Sequence, residues 1–101
     1  MFGDFKEKQE EMARKLAAII VTAEAGDEAV IVEANANKEI TNITINPEKV
    51  DLSDKEQVED LILVAINNAL VLAKEKEQEE TQNMLQDLLP PGMGDLGNLF
   101  G

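Results

Sequence analysis

The stretch "DLILVAINNALVLAK", residues 60–74, gathers aliphatic side chains in a chain of 101 residues whose net charge is −12. What this stretch lies against decides the fold. A membrane is excluded, because the apolar run 61–73 is 13 residues long and is broken by Asn67 and Asn68. A membrane-spanning helix needs about 20. Upstream, Ser53-Asp54-Lys55-Glu56 fits a capping box, in which Ser53 and Glu56 satisfy exposed amides at a helix start. The helix so opened runs without Gly or Pro to Leu89, where Pro90 stops it. At about 100° per residue, Leu61, Leu72, Ala65, Val58, Ala69, Ile62, Ala73, Ile66, Leu70 and Leu63 form an apolar arc over roughly half the circumference. That is about twice the stripe a helix needs to lie on one core. Val64, Asn68 and Val71 add a second, narrow stripe, and Asn67 falls on the polar side. One side of the helix covers a sheet, and the surplus needs another partner, for which a second copy is the simplest supplier. Leu63, Val64, Ile66, Asn68, Leu70 and Val71 are the candidate seam between copies. The amides either fix register at that seam or point at water.

Working outward, three strand-like runs precede this helix. "IIVTAEA" (19–25) ends at Gly26-Asp27, a hairpin signal. "AVIVEANA" (29–36) places Val30, Val32 and Ala34 on one face, and Asn37-Lys38 follows as a turn in which Asn accepts positive φ. "EITNITIN" (39–46) places Thr41, Ile43 and Ile45 together and is ended by Pro47. Connections this short predict an antiparallel meander. Residues 4–18, rich in Glu, Lys, Gln, Ala, Met and Leu, read as a solvated first helix with a thin stripe of Phe5, Met12, Leu16 and, just beyond, Ile19. The fold class is α+β: helix, three-stranded meander, long helix. Residues 1–89 form one domain, which at this size hides only around two-thirds of its unfolded surface. Residues 90–101, "PPGMGDLGNLFG" preceded by no further periodic element, are expected to be a flexible Pro/Gly-rich tail whose removal leaves stability nearly unchanged.

The residue inventory removes most chemistry. There is no Cys and no His, and Ser53 is the one Ser. Disulfides, thiolate metal sites and Ser or Cys triads with His are therefore excluded. No glycine-rich phosphate loop and no calcium-loop spacing occurs. The carboxylates of "KEQVED" and "KEKEQEE" are interleaved with Lys, as in solvated helical faces. The expectation is no enzyme, no cofactor and no metal. The opening "MFGDFKEKQEEMARK" turns charged at once, so secretion is not expected and the cytoplasm is the default location.

Charge is unevenly placed. In residues 1–20, Lys6, Lys8, Arg14 and Lys15 balance Asp4, Glu7, Glu10 and Glu11, so the whole −12 lies in residues 21–101. Attraction to nucleic acid must be local and work against a repulsive overall field.

With this order of elements in place, the chain resembles the YbaB/EbfC family of bacterial nucleoid-associated proteins. The resemblance runs through "MFG", "VTAEAGDEAVIVEANANKEITNITINP", "VEDLILVAINNALVLAKEK" and "LPPGM". It implies an intertwined, tweezer-like homodimer with a shared β core that binds DNA in the nucleoid. It departs from the family pattern in a first helix about ten residues shorter, in Ala36 where the family has Gly, and in Ile31, Thr41 and Asn42 where Lys or Arg is common. Candidate phosphate contacts are Lys6, Lys8, Arg14 and Lys15 on the first helix and Lys74 and Lys76 on the second. A second reading stays open: an acidic dimeric adaptor that has kept the fold and binds a basic protein.

Overall fold

The computed structural model describes residues 2–88. Five elements follow in order: α1 (Phe2–Ala17), β1 (Ile20–Ala25), β2 (Val30–Asn35), β3 (Ile40–Ile45) and α2 (Lys55–Leu88). The strands form one antiparallel sheet in the order β1-β2-β3, the expected meander. The expected tail (90–101) and the final residue of the expected second helix, Leu89, lie outside the described residues.

Alternation sets the inner face of the sheet. Val21, Ala23 and Ala25 of β1 and Val30, Val32 and Ala34 of β2 are buried, and α2 lies across these two strands. The closest approach of α2 is made by Ala65, Ala69 and Ala73, all fully buried at i, i+4 and i+8. Small side chains let a helix sit close on a sheet, while Leu61, Ile62 and Ile66 fill the flanks.

The strand β3 lies at the margin of this cover. It pairs Val30 with Ile45, Val32 with Ile43 and Ala34 with Ile40, so the three isoleucines share the helix-side face. Ile45 packs against the core, whereas Ile43 stays 41% exposed and Ile40 is exposed too. This corrects the expected face of β3. A register shift at Glu33/Ala34 puts one extra residue into β3 there. Thr41 is thereby turned outward, where its hydroxyl donates to Glu33 Oε2 at 2.6 Å.

The turns bear out one expectation and correct another. The β1–β2 loop holds Gly26, Asp27 and Glu28 successively in the left-handed region. Gly suits the first of these, since a Cβ there would meet Leu61 Cδ2 at 2.8 Å. In the β2–β3 turn the left-handed residue is Lys38, not Asn37. The Asn that organises this turn is the buried Asn35. Its Oδ1 accepts from Asn37 N (3.0 Å) and Glu39 N (3.2 Å), and its Nδ2 donates to Glu39 Oε1 (3.0 Å).

The cap of α2 is Asp54 rather than Ser53: Asp54 Oδ1 accepts from Gln57 N at 3.2 Å. Ser53 instead donates from its hydroxyl (2.5 Å) and amide (3.0 Å) to Asp51 Oδ1. Those two bonds hold the Asp51 carboxyl below its ordinary pKa. Only the forward half of a capping box forms, one residue later than expected, since the Asp54 amide donates to Asp51 O at 3.0 Å.

At 34 residues α2 is about 51 Å long, whereas a six-residue strand spans about 20 Å. The helix therefore runs well past the sheet, and the molecule measures 59 × 33 × 17 Å. Its radius of gyration, 18.4 Å, exceeds the roughly 13 Å of a compact chain of this length.

Candidate nucleic-acid interface

The first helix is a solvated rod fixed at one end. Leu16 is buried and Met12 half-buried, while Phe5 is exposed and every charged side chain of the helix faces water. The fixed end is held by backbone and side-chain bonds. Ala36 N donates to both Leu16 O (3.1 Å) and Ile19 O (3.0 Å), and Asn37 Nδ2 donates to Ala13 O at 2.8 Å. The β2–β3 turn is thus stitched to the last turn of α1.

All six candidate cations, Lys6, Lys8, Arg14, Lys15, Lys74 and Lys76, are exposed. Among the described residues, Lys6, Lys8, Arg14 and Lys74 have no carboxylate within 4 Å. Lys15 and Lys76 do: Lys15 Nζ lies 3.0 Å from Glu80 Oε2, and Lys76 Nζ lies 3.4 Å from Glu79 Oε2, one turn along α2. A further cation, Lys38, reaches Glu77 Oε1 at 3.3 Å. Sequence reading treated Lys38 only as part of a turn. Its place beside α1 depends on the long-range bonds from Asn37 and Ala36, which no local pattern announces. The Lys76–Glu79 pair is exposed on both sides and worth about 0–1 kcal/mol, whereas Glu80 and Glu77 are partly buried beside their lysines.

The six residues of the candidate seam fall into two groups. Leu63 (58% exposed), Val64 (49%), Val71 (57%) and Asn68 face away from the sheet in the single chain. Ile66 is packed against the chain's own core and Leu70 is half-buried. Asn67 and Asn68 both reach the surface, beside the exposed valines.

Among the described residues no group of three or more Asp or Glu is placed to hold a metal ion, and no helix is long and apolar enough to cross a membrane. A sequence profile of the YbaB/EbfC DNA-binding family matches residues 1–88, the whole span from α1 to the end of α2.

The chain belongs to the YbaB/EbfC DNA-binding family.

Two relatives called nucleoid-associated proteins agree. One from Acidobacterium capsulatum is 44% identical over 99 residues, covering 92% of each chain. One from Chloroflexus aggregans is 34% identical over 100 residues, covering 99% of this chain and 92% of the relative. The crystal structure of an uncharacterized protein from Helicobacter pylori superposes with a TM-score of 0.69 at 24% identity, over 83% of this chain and 88% of that one. That likeness is one of fold. As a YbaB/EbfC chain the protein falls among DNA-binding proteins and not among enzymes. The match includes α1.

Proposed function

We propose that the chain works as a nucleoid-associated homodimer that binds duplex DNA weakly and with little regard to sequence. The observation that carries this reading is the family match across the entire described fold, α1 included. The exposed cations of α1 supply the chemistry. Lysine and arginine contacts to phosphate give affinity without reading bases. A projecting helix of zero net charge brings those cations to a duplex ahead of the acidic remainder.

The dimer is supported by apolar surface that one copy leaves bare. Ile40 and Ile43 on β3 and Leu63, Val64 and Val71 on α2 are too many exposed aliphatic residues for a chain of 101 residues to leave in water. Light scattering should give twice 11.1 kDa at micromolar concentration; a stable, folded monomer contradicts the assembly.

A charge-reversal variant tests the DNA contact. Lys6→Glu combined with Lys8→Glu should abolish binding in a gel-shift assay while the dimer persists, because both residues lie at the exposed end of α1, away from the sheet and α2. Undiminished binding by that variant would remove α1 from the interface.

A further inference from the structure

We propose that Lys15 and Lys38 form a phosphate-binding patch where α1 meets the β2–β3 turn, and that Glu77 and Glu80 of α2 occupy this patch until nucleic acid displaces them. The proposal rests on the DNA-binding reading above and adds to it a site and a built-in competitor.

Four observations converge. The two cations come from separate elements, yet the bonds from Ala36 N to Leu16 O (3.1 Å) and from Asn37 Nδ2 to Ala13 O (2.8 Å) lock those elements together. Each ammonium then meets one carboxylate, Lys15 with Glu80 at 3.0 Å and Lys38 with Glu77 at 3.3 Å. The ammonium-bearing side chains are about half exposed (58% and 48%), so a phosphate can reach them from solvent.

The position of the two acids is the third observation. The core-facing stripe of α2 reads Ala65, Ala69, Ala73 and continues at the same spacing to Glu77, with Glu80 a further three residues on. The face that buries alanine on the sheet therefore turns acidic where it passes the sheet and comes beside α1. Glu75 and Glu79, on the other faces, are exposed, whereas the Glu80 side chain keeps only 19% of its surface.

The fourth is the state of Glu80. Its Oε2 is shut off from water and accepts no well-angled hydrogen bond; among the described residues the Lys15 ammonium at 3.0 Å is its one counter-charge. An anionic oxygen seated there without other partners occupies the place that a phosphate oxygen would take. Exchange returns the carboxylates to water and lets the duplex shed counterions.

The test uses the full chain and a fluorescent duplex of mixed sequence, titrated at several salt concentrations. Glu77→Gln with Glu80→Gln frees the patch. Glu24→Gln with Glu59→Gln changes the net charge equally at exposed acids that hold no cation among the described residues. The first pair should bind about tenfold tighter than the second at low salt. Two copies would free 2 × 2 = 4 cations, steepening the fall of log K with log salt by up to about 3.6. Adding Lys38→Gln to the first pair should return a large part of the gain.

Equal affinity in the two Gln pairs would overturn the proposal while leaving DNA binding intact. So would a lower melting temperature for Glu77→Gln/Glu80→Gln with unchanged affinity, which would make these contacts a structural clamp. Absence of binding by every variant and by the unaltered chain at low salt would instead overturn the DNA-binding reading on which the patch depends.

Discussion

Asp54 stands immediately before α2 and satisfies one of the amides that a helix start leaves without a partner, through its 3.2 Å bond from Gln57 N. Asp54→Ala should lower stability by about 1 kcal/mol in urea unfolding, the usual worth of a cap. Ser53→Ala, which loses only an exposed bond to Asp51, should cost clearly less. The reverse order would put the cap back at Ser53. Both residues are good capping types, and the sequence "DLSDKEQ" contains two overlapping cap patterns, Ser53–Glu56 and Asp54–Gln57. Which one wins depends on Asp51, whose carboxylate draws the Ser53 hydroxyl backward, away from the helix. Lys38 is a parallel case. Asn was the natural choice for positive φ, but Asn35 holds the Asn37 amide through its Oδ1 and leaves Lys38 to make the reversal.

Among the elements, α2 is defined by its alanines. Ala65, Ala69 and Ala73 are fully buried in the core that α2 shares with β1 and β2. Ala69→Leu should therefore destabilise by about 1–3 kcal/mol through overpacking, measured as a shift of the denaturation midpoint at constant slope. A neutral result would mean that the helix rides higher on the sheet than described. The fold was largely legible at this scale. Alternation gave β1 and β2 their inner faces, Pro47 ended β3, and the absence of Gly or Pro from 55 to 88 marked one long helix. What escaped was set by long-range pairing. The extra residue of β3 exists only opposite Glu33, so nothing local in "EITNITIN" separates Thr41 from Ile43. The pairs Lys15–Glu80 and Lys38–Glu77 join residues 65 and 39 positions apart, and they read locally as ordinary helical or turn charges. The exposed cations of α1, by contrast, were recognisable because that helix has too thin an apolar stripe to be buried.

At the scale of the whole molecule, the long α2 and the isoleucines of β3 leave apolar surface bare in the single chain. Leu63 is 58% exposed in the single chain, so Leu63→Asp should leave that chain folded, with its circular dichroism preserved. An aspartate buried unpaired in a seam between copies costs several kcal/mol, and dissociation is the expected outcome in light scattering. A variant that stays dimeric would place the seam elsewhere, with the Ile40–Ile43 face of β3 as one exposed apolar surface to test next.

The electrostatic account of DNA binding makes the sharpest demand on the molecule, because two copies carry 2 × (−12) = −24. In the proposed dimer the α1 helices offer Lys6, Lys8 and Arg14, or 2 × 3 = 6 cations, and Lys15 and Lys38 add 2 × 2 = 4 wherever phosphate displaces Glu80 and Glu77. Each phosphate neutralised contributes about 0.9 to the slope of log K against log salt, which bounds these contacts at about −5 with the patch closed and about −9 with it open. Glu7, Glu10 and Glu11 on the same helix reduce it further. The most direct measurement is therefore the affinity of the unaltered protein for a mixed-sequence duplex as a function of salt. The account predicts weak binding at low salt, a slope no steeper than about −9, and loss of binding near physiological ionic strength. Tight binding that ignores salt, or no binding at low salt by an intact dimer, would contradict it.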